Sequence, residues 1–192
     1  MTTRIPDGGF TPLPACFAEM PLGDVYRLIE PGPVVLLTTA LGADANVMTM
    51  SWHMMVDFEP PLVACIVAGG DFSSQALERT GECVIALPDV AMARAVVGIG
   101  NTSGRRIDKF AEFGLTPARA STVAAPLIAE CFAGFECRVI DTTLAETYGL
   151  RILQVVRAWR DTTRPNPKTI HHQGYGDFAV DGRRLHLPSK MP

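Results

Sequence analysis

The sequence predicts a mainly β protein, an antiparallel barrel that is closed or half closed and carries a few short helices in its connections. Three observations point there. Short apolar or alternating runs recur along the chain, as in Pro33–Thr39, Leu62–Val67 and Cys83–Leu87. Clusters of Gly, Pro, Asn and Asp separate them, which is how strands and turns are punctuated. No repeat, coiled coil or low-complexity tract competes with that reading, and 192 residues with 47% apolar content suit one packed domain.

Taken in order, residues 1–30 read as an extended arm rich in Pro and Gly, anchored by Phe10, Leu13 and Phe17. The arm ends in a helical turn over Asp24–Glu30 that Pro31-Gly-Pro33 stops. The barrel core is expected over 31–160 and a C-terminal extension over 161–192, all within a single domain. Strand Pro33–Thr39, the turn Leu41-Gly-Ala-Asp-Ala45 and strand Asn46–Trp52 make the first antiparallel pair. After Pro60-Pro61, Leu62–Val67 is a buried strand, and Ser74–Thr80 is a helix closed by Gly81. Cys83–Leu87 is the next strand, Val90–Val97 a helix and Gly98–Gly104 a flexible loop leading to Phe110–Gly114. Beyond Ile128, Phe135, Cys137 and Val139 alternate with Glu136 and Arg138, giving one dry and one wet face. The loop Thr142–Gly149 leads to a strand over Leu150–Trp159. Pro165-Asn-Pro167 breaks the chain, and a last hairpin runs from Tyr175 past an Asp181-Gly182 turn to Leu187.

Composition removes several function classes. A net charge of -3, a pI near 5.8 and scattered Lys and Arg leave no basic footprint for nucleic acid. The stretch Met1–Met20 holds Pro6, Pro12 and Pro14 and no continuous apolar core, so neither a signal peptide nor a membrane anchor is expected, and the protein reads as soluble and cytoplasmic. Cys16, Cys65, Cys83, Cys131 and Cys137 form no C-x-x-C pair and fit buried reduced thiols better than disulfides or zinc. His171 and His172 are neighbours on an extended chain and point apart, so no metal site is expected.

Three stretches carry chemistry. On the strand Asn46-Val-Met-Thr-Met-Ser-Trp52, Thr49 and Ser51 share one face while Met48, Met50 and Trp52 share the other. That pattern suits a flat organic ligand with a polar tail, and it equally suits an ordinary barrel strand with its Met and Trp in the core. The helix start at Gly69-Gly-Asp-Phe-Ser-Ser74 presents unpaired N–H groups, a positive dipole end and the hydroxyls of Ser73 and Ser74. A phosphate would fit there, and a plain Ser or Asp cap accounts for the same residues. Ser103-Gly104 turns into Arg105, Arg106, Asp108 and Lys109, cations that suit an anionic group or a solvated helix start.

As an ordered set, Pro33–Thr39, Asn46–Trp52, Pro60-Pro61-Leu62, Gly81-Glu-Cys-Val84, Ser103-Gly-Arg-Arg-Ile-Asp-Lys-Phe110 and Gly114-Leu115 resemble the flavin reductase-like family. The resemblance spans about Pro31 to Arg157. It implies an FMN-binding split barrel of Greek-key antiparallel type and a homodimer. It also implies that Asn46, Met48, Thr49, Met50, Ser51 and Trp52 line the flavin ring and ribityl chain. By the same resemblance, Phe72, Ser73, Ser74, Ser103, Gly104, Arg105 and Lys109 border its phosphate or ring oxygens. The arm before Pro31 and the segment after Arg160 match nothing in the family pattern, which leaves the nicotinamide side of the pocket unassigned.

A flat, largely apolar ring edged by hydrogen-bonding atoms needs sulfur or aromatic faces and a few placed donors, so the residue chemistry agrees with the resemblance. FMN, in preference to FAD, performs the redox chemistry itself, which fits a chain without a recognisable catalytic dyad or triad. The reading is an NAD(P)H:flavin oxidoreductase passing hydride through bound FMN to a flavin or another acceptor, with a partner oxygenase or electron-transfer protein as its outlet. An FMN-binding electron carrier of the flavoredoxin kind, reduced by a partner protein, is the alternative, and a barrel that has lost its flavin is a third. Trp52 either stacks on the ring or sits in the dimer interface.

Overall fold

A computed structural model describes residues 2–6 and 8–188; residues 1 and 7 of the arm and 189–192 of the C-terminal extension lie outside the described residues. The elements are β1 (Thr3–Arg4), β2 (Phe17–Glu19), α1 (Tyr26–Ile29), β3 (Val35–Leu41), β4 (Asp44–Met50), β5 (His53–Phe58), β6 (Pro61–Ile66), α2 (Phe72–Thr80) and β7 (Glu82–Leu87). They continue with α3 (Ala93–Gly100), α4 (Lys109–Glu112), β8 (Pro117–Ala118), β9 (Leu127–Ile128), β10 (Ala133–Asp141), α5 (Ala145–Tyr148), β11 (Leu150–Asp161), β12 (Ile170–Gly174) and β13 (Asp177–Val180). A nine-stranded antiparallel sheet runs β1-β4-β3-β7-β10-β11-β6-β5, with β2 added on β11. The chain passes from β6 through α2 to β7, which lies beside β3, so order along the sheet departs from order along the chain as in Greek-key barrels.

The apolar run of β3 is continuous because both of its faces are covered. Val35 and Leu37 enter a core with Met50, Ile85, Phe135, Leu153, Ile29 of α1 and Val25 just before it. Val34 and Leu36 face a second core with Val47, Val96, Ile99, Phe110 and Leu127. Each fully buried side chain of this size contributes about 1.5–3 kcal/mol, so the two cores fix the register from both sides.

Several expectations shift. The first hairpin is tighter than predicted: Leu41 pairs with Asp44, leaving Gly42-Ala43 as the turn. The exposed strand β5 was missed because His53-Met-Met-Val-Asp-Phe58 shows no dry core face, and its Met54, Val56 and Phe58 are exposed. The expected loop Gly98–Gly104 is helical up to Gly100, since Gly98 packs against the Phe113 ring. Glu136, placed on the wet face, is fully buried, whereas Arg138 is exposed. The Glu136 carboxylate accepts from Ser121 N at 2.9 Å, Thr122 N and Oγ1 at 2.5 Å each, and Trp159 Nε1 at 2.7 Å. Four donors replace the water it lost. The last hairpin turns at Tyr175-Gly176 between β12 and β13, one segment before the expected Asp181-Gly182 turn. The arm is anchored by Phe10, which is buried in the second core.

Candidate functional site

Beside β4 lies a cleft of about 260 Å³. Its floor is Asn46, Met48 and Thr49, and its walls are the start of α2, the end of α3 and the loop into α4. Asn46 is buried and its Nδ2 donates to Ser73 Oγ at 3.0 Å, tying β4 to α2. Thr49 Oγ1 donates to Val96 O at 2.6 Å, tying β4 to α3. Ser103 Oγ accepts from Arg105 N at 3.3 Å, and Arg105 reaches Gly70 O at 3.4 Å with its guanidinium 5.5 Å from the Phe72 ring centre. The Asp108 carboxylate caps α4, accepting from Phe110 N at 3.0 Å and Ala111 N at 3.2 Å, and it also accepts from the Thr3 hydroxyl. That cap places Lys109 at the first helical position, where its Nζ donates to Ile99 O at 2.9 Å. Burial pushes the Lys109 amine down to about 8, against the opposing pull of the nearby Asp71 carboxylate.

The cleft therefore joins Asn46, Met48, Thr49, Phe72, Ser73, Ser103, Arg105 and Lys109. Gly104 sits behind it, against Asn46 and Phe72. The other candidates lie elsewhere. Met50 is in the barrel core, and Trp52 is 69% exposed beyond the end of β4. Ser74 turns inward, donating to Glu78 Oε1 at 3.0 Å and accepting from Arg151 Nη2 at 2.9 Å. Arg151, buried on β11, also donates to Val67 O at 2.8 Å and Gly149 O at 3.1 Å. Its one sequence signal is a charge at an inward position of an otherwise apolar alternation.

Ser51 opens onto a second cleft of about 470 Å³ that meets the first at Thr49 and Gly100. Its far wall is the β12–β13 hairpin, through His172, Tyr175 and Phe178. Reading His171-His172 only as a chelating pair missed this wall. A third cavity, of about 550 Å³ between the arm and the segment Asp181–Arg184, shares no lining residue with either. Among the described residues no cluster of His, Cys, Asp and Glu could hold a metal ion, and no helix is long and apolar enough to cross a membrane.

The sheet order and the cleft beside β4 can now be set against known proteins. The profile of the flavin reductase like domain matches residues 26–179. The chain belongs to this family. Protein YddH of Escherichia coli (strain K12) is 34% identical over 185 residues, covering 88% of this chain and 97% of that protein. Among solved structures, the FMN-binding domain of a flavin reductases-like enzyme from Shewanella baltica OS155 superposes with a TM-score of 0.84 at 26% identity, covering 90% of this chain and 97% of that one. Flavoredoxin of Desulfovibrio vulgaris (Miyazaki F) gives a TM-score of 0.76 at 22% identity, with 83% and 91% covered. The flavin reductase-like fold is thus a split barrel, and the arm that preceded the recognisable motifs is part of its sheet through β1 and β2.

Proposed function

We propose that this flavin reductase-like chain binds FMN with its phosphate in the polar cleft and its ring on Thr49 and Ser51. The observation that carries the reading is the junction of two unlike clefts at Thr49 and Gly100, one with two cations and one with none. The donor set fits a phosphate monoester. Arg105 is exposed and free to swing from Gly70 O, Lys109 brings a second positive charge, and the Ser73 and Ser103 hydroxyls line the same space. Gly70 leaves its backbone open, since a Cβ there would meet nothing within 4 Å. The 260 Å³ of the polar cleft is in scale with a phosphate and ribityl end, which favours FMN over FAD.

When bound, FMN would supply the hydride and electron transfer between NAD(P)H and a flavin or another acceptor. Arg105 and Lys109 neutralise the phosphate. Thr49, fixed to Val96 O, keeps the strand edge in place under the ring, and Met48 offers it a polarisable neighbour. The exposed apolar side chains of Trp52, just before the edge strand β5, and of Met54, Val56 and Phe58 on it support a homodimer, because exposed apolar surface of this kind marks an interface.

Protein incubated with FMN and desalted should retain flavin absorbance, and anaerobic NADH or NADPH should bleach it within seconds. Retained flavin that neither nucleotide bleaches would replace the reductase reading by that of an electron carrier serving a partner protein. Loss of all flavin on desalting would sink the FMN assignment.

A further inference from the structure

The hairpin β12–β13 lies off the main sheet, and its tip breaks a local rule. Between the paired residues Gly174 and Asp177 stand Tyr175, with φ 51°, and Gly176, with φ 87°. Positive φ at both central residues is the type I′ arrangement, which favours Asn, Asp or Gly in the first place. Tyr175 is the single non-glycine residue with positive φ among the described residues, and a bulky side chain suits that backbone poorly. Packing offers no compensation, because the Tyr175 side chain is fully exposed. Local strain of this kind, held by its surroundings, is a mark of functional positions.

The base of the hairpin is tied to the barrel and across itself. Val34 N donates to Ile170 O at 2.8 Å, and Thr169 Oγ1 donates to Asp181 Oδ2 at 2.8 Å across the hairpin base. His171 bridges Gly32 O and Asp181 Oδ1, each at 3.0 Å. With its base so tied, the hairpin forms one wall of the second cleft through Tyr175, His172 and Phe178, and the rings of the last two lie 5.3 Å apart. The lining includes no Lys, Arg, Asp or Glu. An anionic acceptor finds no charged partner in it.

Resting on the FMN reading above, the geometry points to a subsite for an uncharged, planar quinone as electron acceptor. Its ring stacks on Tyr175, and Asn101 donates to a carbonyl oxygen. Accepting a hydride from the reduced flavin and one proton from water, the quinone would leave as the hydroquinone, and the flavin would return to its oxidised form.

Calorimetric titration of menadione, an uncharged quinone, into the FMN-loaded wild type and Tyr175→Asn tests this, with FMN affinity and Tm measured in parallel. Asn is the residue that the turn favours, so the variant should be at least as stable as wild type and bind FMN equally. It should bind menadione about five- to tenfold more weakly. Equal menadione binding by both proteins, or none by an FMN-loaded wild type, overturns the subsite. A variant that loses FMN together with menadione assigns Tyr175 to the cofactor and overturns it too. A wild type that keeps no FMN on desalting overturns instead the cofactor reading on which the subsite stands.

Discussion

Gly104 and Asn46 are packed so closely that a Cβ on residue 104 would overlap Asn46 Oδ1 and stand 3.1 Å from Phe72 Cδ1. Asn46 cannot yield, because its Nδ2 is bound to Ser73 Oγ at 3.0 Å and the side chain is buried. Three segments, β4, the start of α2 and the loop into α4, are thereby set against one another. Gly104→Ala must push the loop outward and carry Ser103 and Arg105 with it. Overpacking of this kind costs about 1–3 kcal/mol, so the Tm should fall by several degrees. FMN affinity, read from flavin fluorescence quenching, should drop about tenfold or more. An unchanged affinity would detach the loop from the phosphate site.

Lys109 makes two opposite pH dependences. Its amine is held at about 8, below the ordinary value of 10.5, because burial disfavours the charge. In the unfolded chain the amine binds its proton up to the higher value. The unfolded state therefore binds more protons between these limits, and cofactor-free protein should gain stability as pH rises from about 8 towards 10.5. Phosphate binding favours the protonated amine, so FMN affinity should weaken over the same window, by about tenfold for one pH unit above 8. Lys109→Met should cost about ten- to a hundredfold in FMN affinity at neutral pH and flatten the dependence. A wild-type affinity that stays level up to pH 10 removes Lys109 from the anion site.

How much of this was legible in the sequence follows from what each pattern encodes. The Val34-Val-Leu-Leu37 run announced a buried strand because both faces meet a core, and the ordered motifs carried the family. Patterning could not show which strand neighbours supply partners: Glu136 looked wet because its four donors come from Ser121, Thr122 and Trp159, distant in sequence. Ser74 looked like an anion ligand for the same reason, its real partner Arg151 lying on β11. The hairpin tip was misplaced because Asp181-Gly182 obeys turn chemistry and Tyr175-Gly176 does not.

Glu136 yields a stability prediction. Its two oxygens receive donors from a loop and from Trp159, whose ring in turn carries the Arg157 guanidinium at 5.0 Å. Gln at this position puts an NH₂ group where an acceptor is needed and leaves buried N–H groups unpaired. Glu136→Gln should destabilise by about 2–4 kcal/mol, seen as a lower urea midpoint with an unchanged slope. A midpoint within experimental scatter of wild type would mean that the loop holds its place without the carboxylate.

The edge strand β5 offers the last test. Trp52, just before β5, and Met54, Val56 and Phe58 on it are 69%, 62%, 50% and 56% exposed, and β5, whose ladder has a bulge between Met55 and Asp57, ends the sheet among the described residues. Edges of this kind are ordinarily blunted by charge or covered by another chain. Here Asp57 is the charge that the strand carries, and it is spent locally, accepting from Phe58 N at 2.7 Å. A second copy laid on this row would bury the indole of Trp52 next to Ser51 and so close the ring end of the cofactor cleft. Met54→Glu with Phe58→Glu should leave the far-ultraviolet dichroism intact, because neither side chain helps to fill the cores, and should convert a dimer to a monomer in sedimentation velocity. In the proposed dimer FMN affinity should fall with it, since the ring would lose the cover that a second copy would provide. A double variant that remains dimeric and binds FMN as wild type would place the interface on another face and leave Trp52 to the flavin alone.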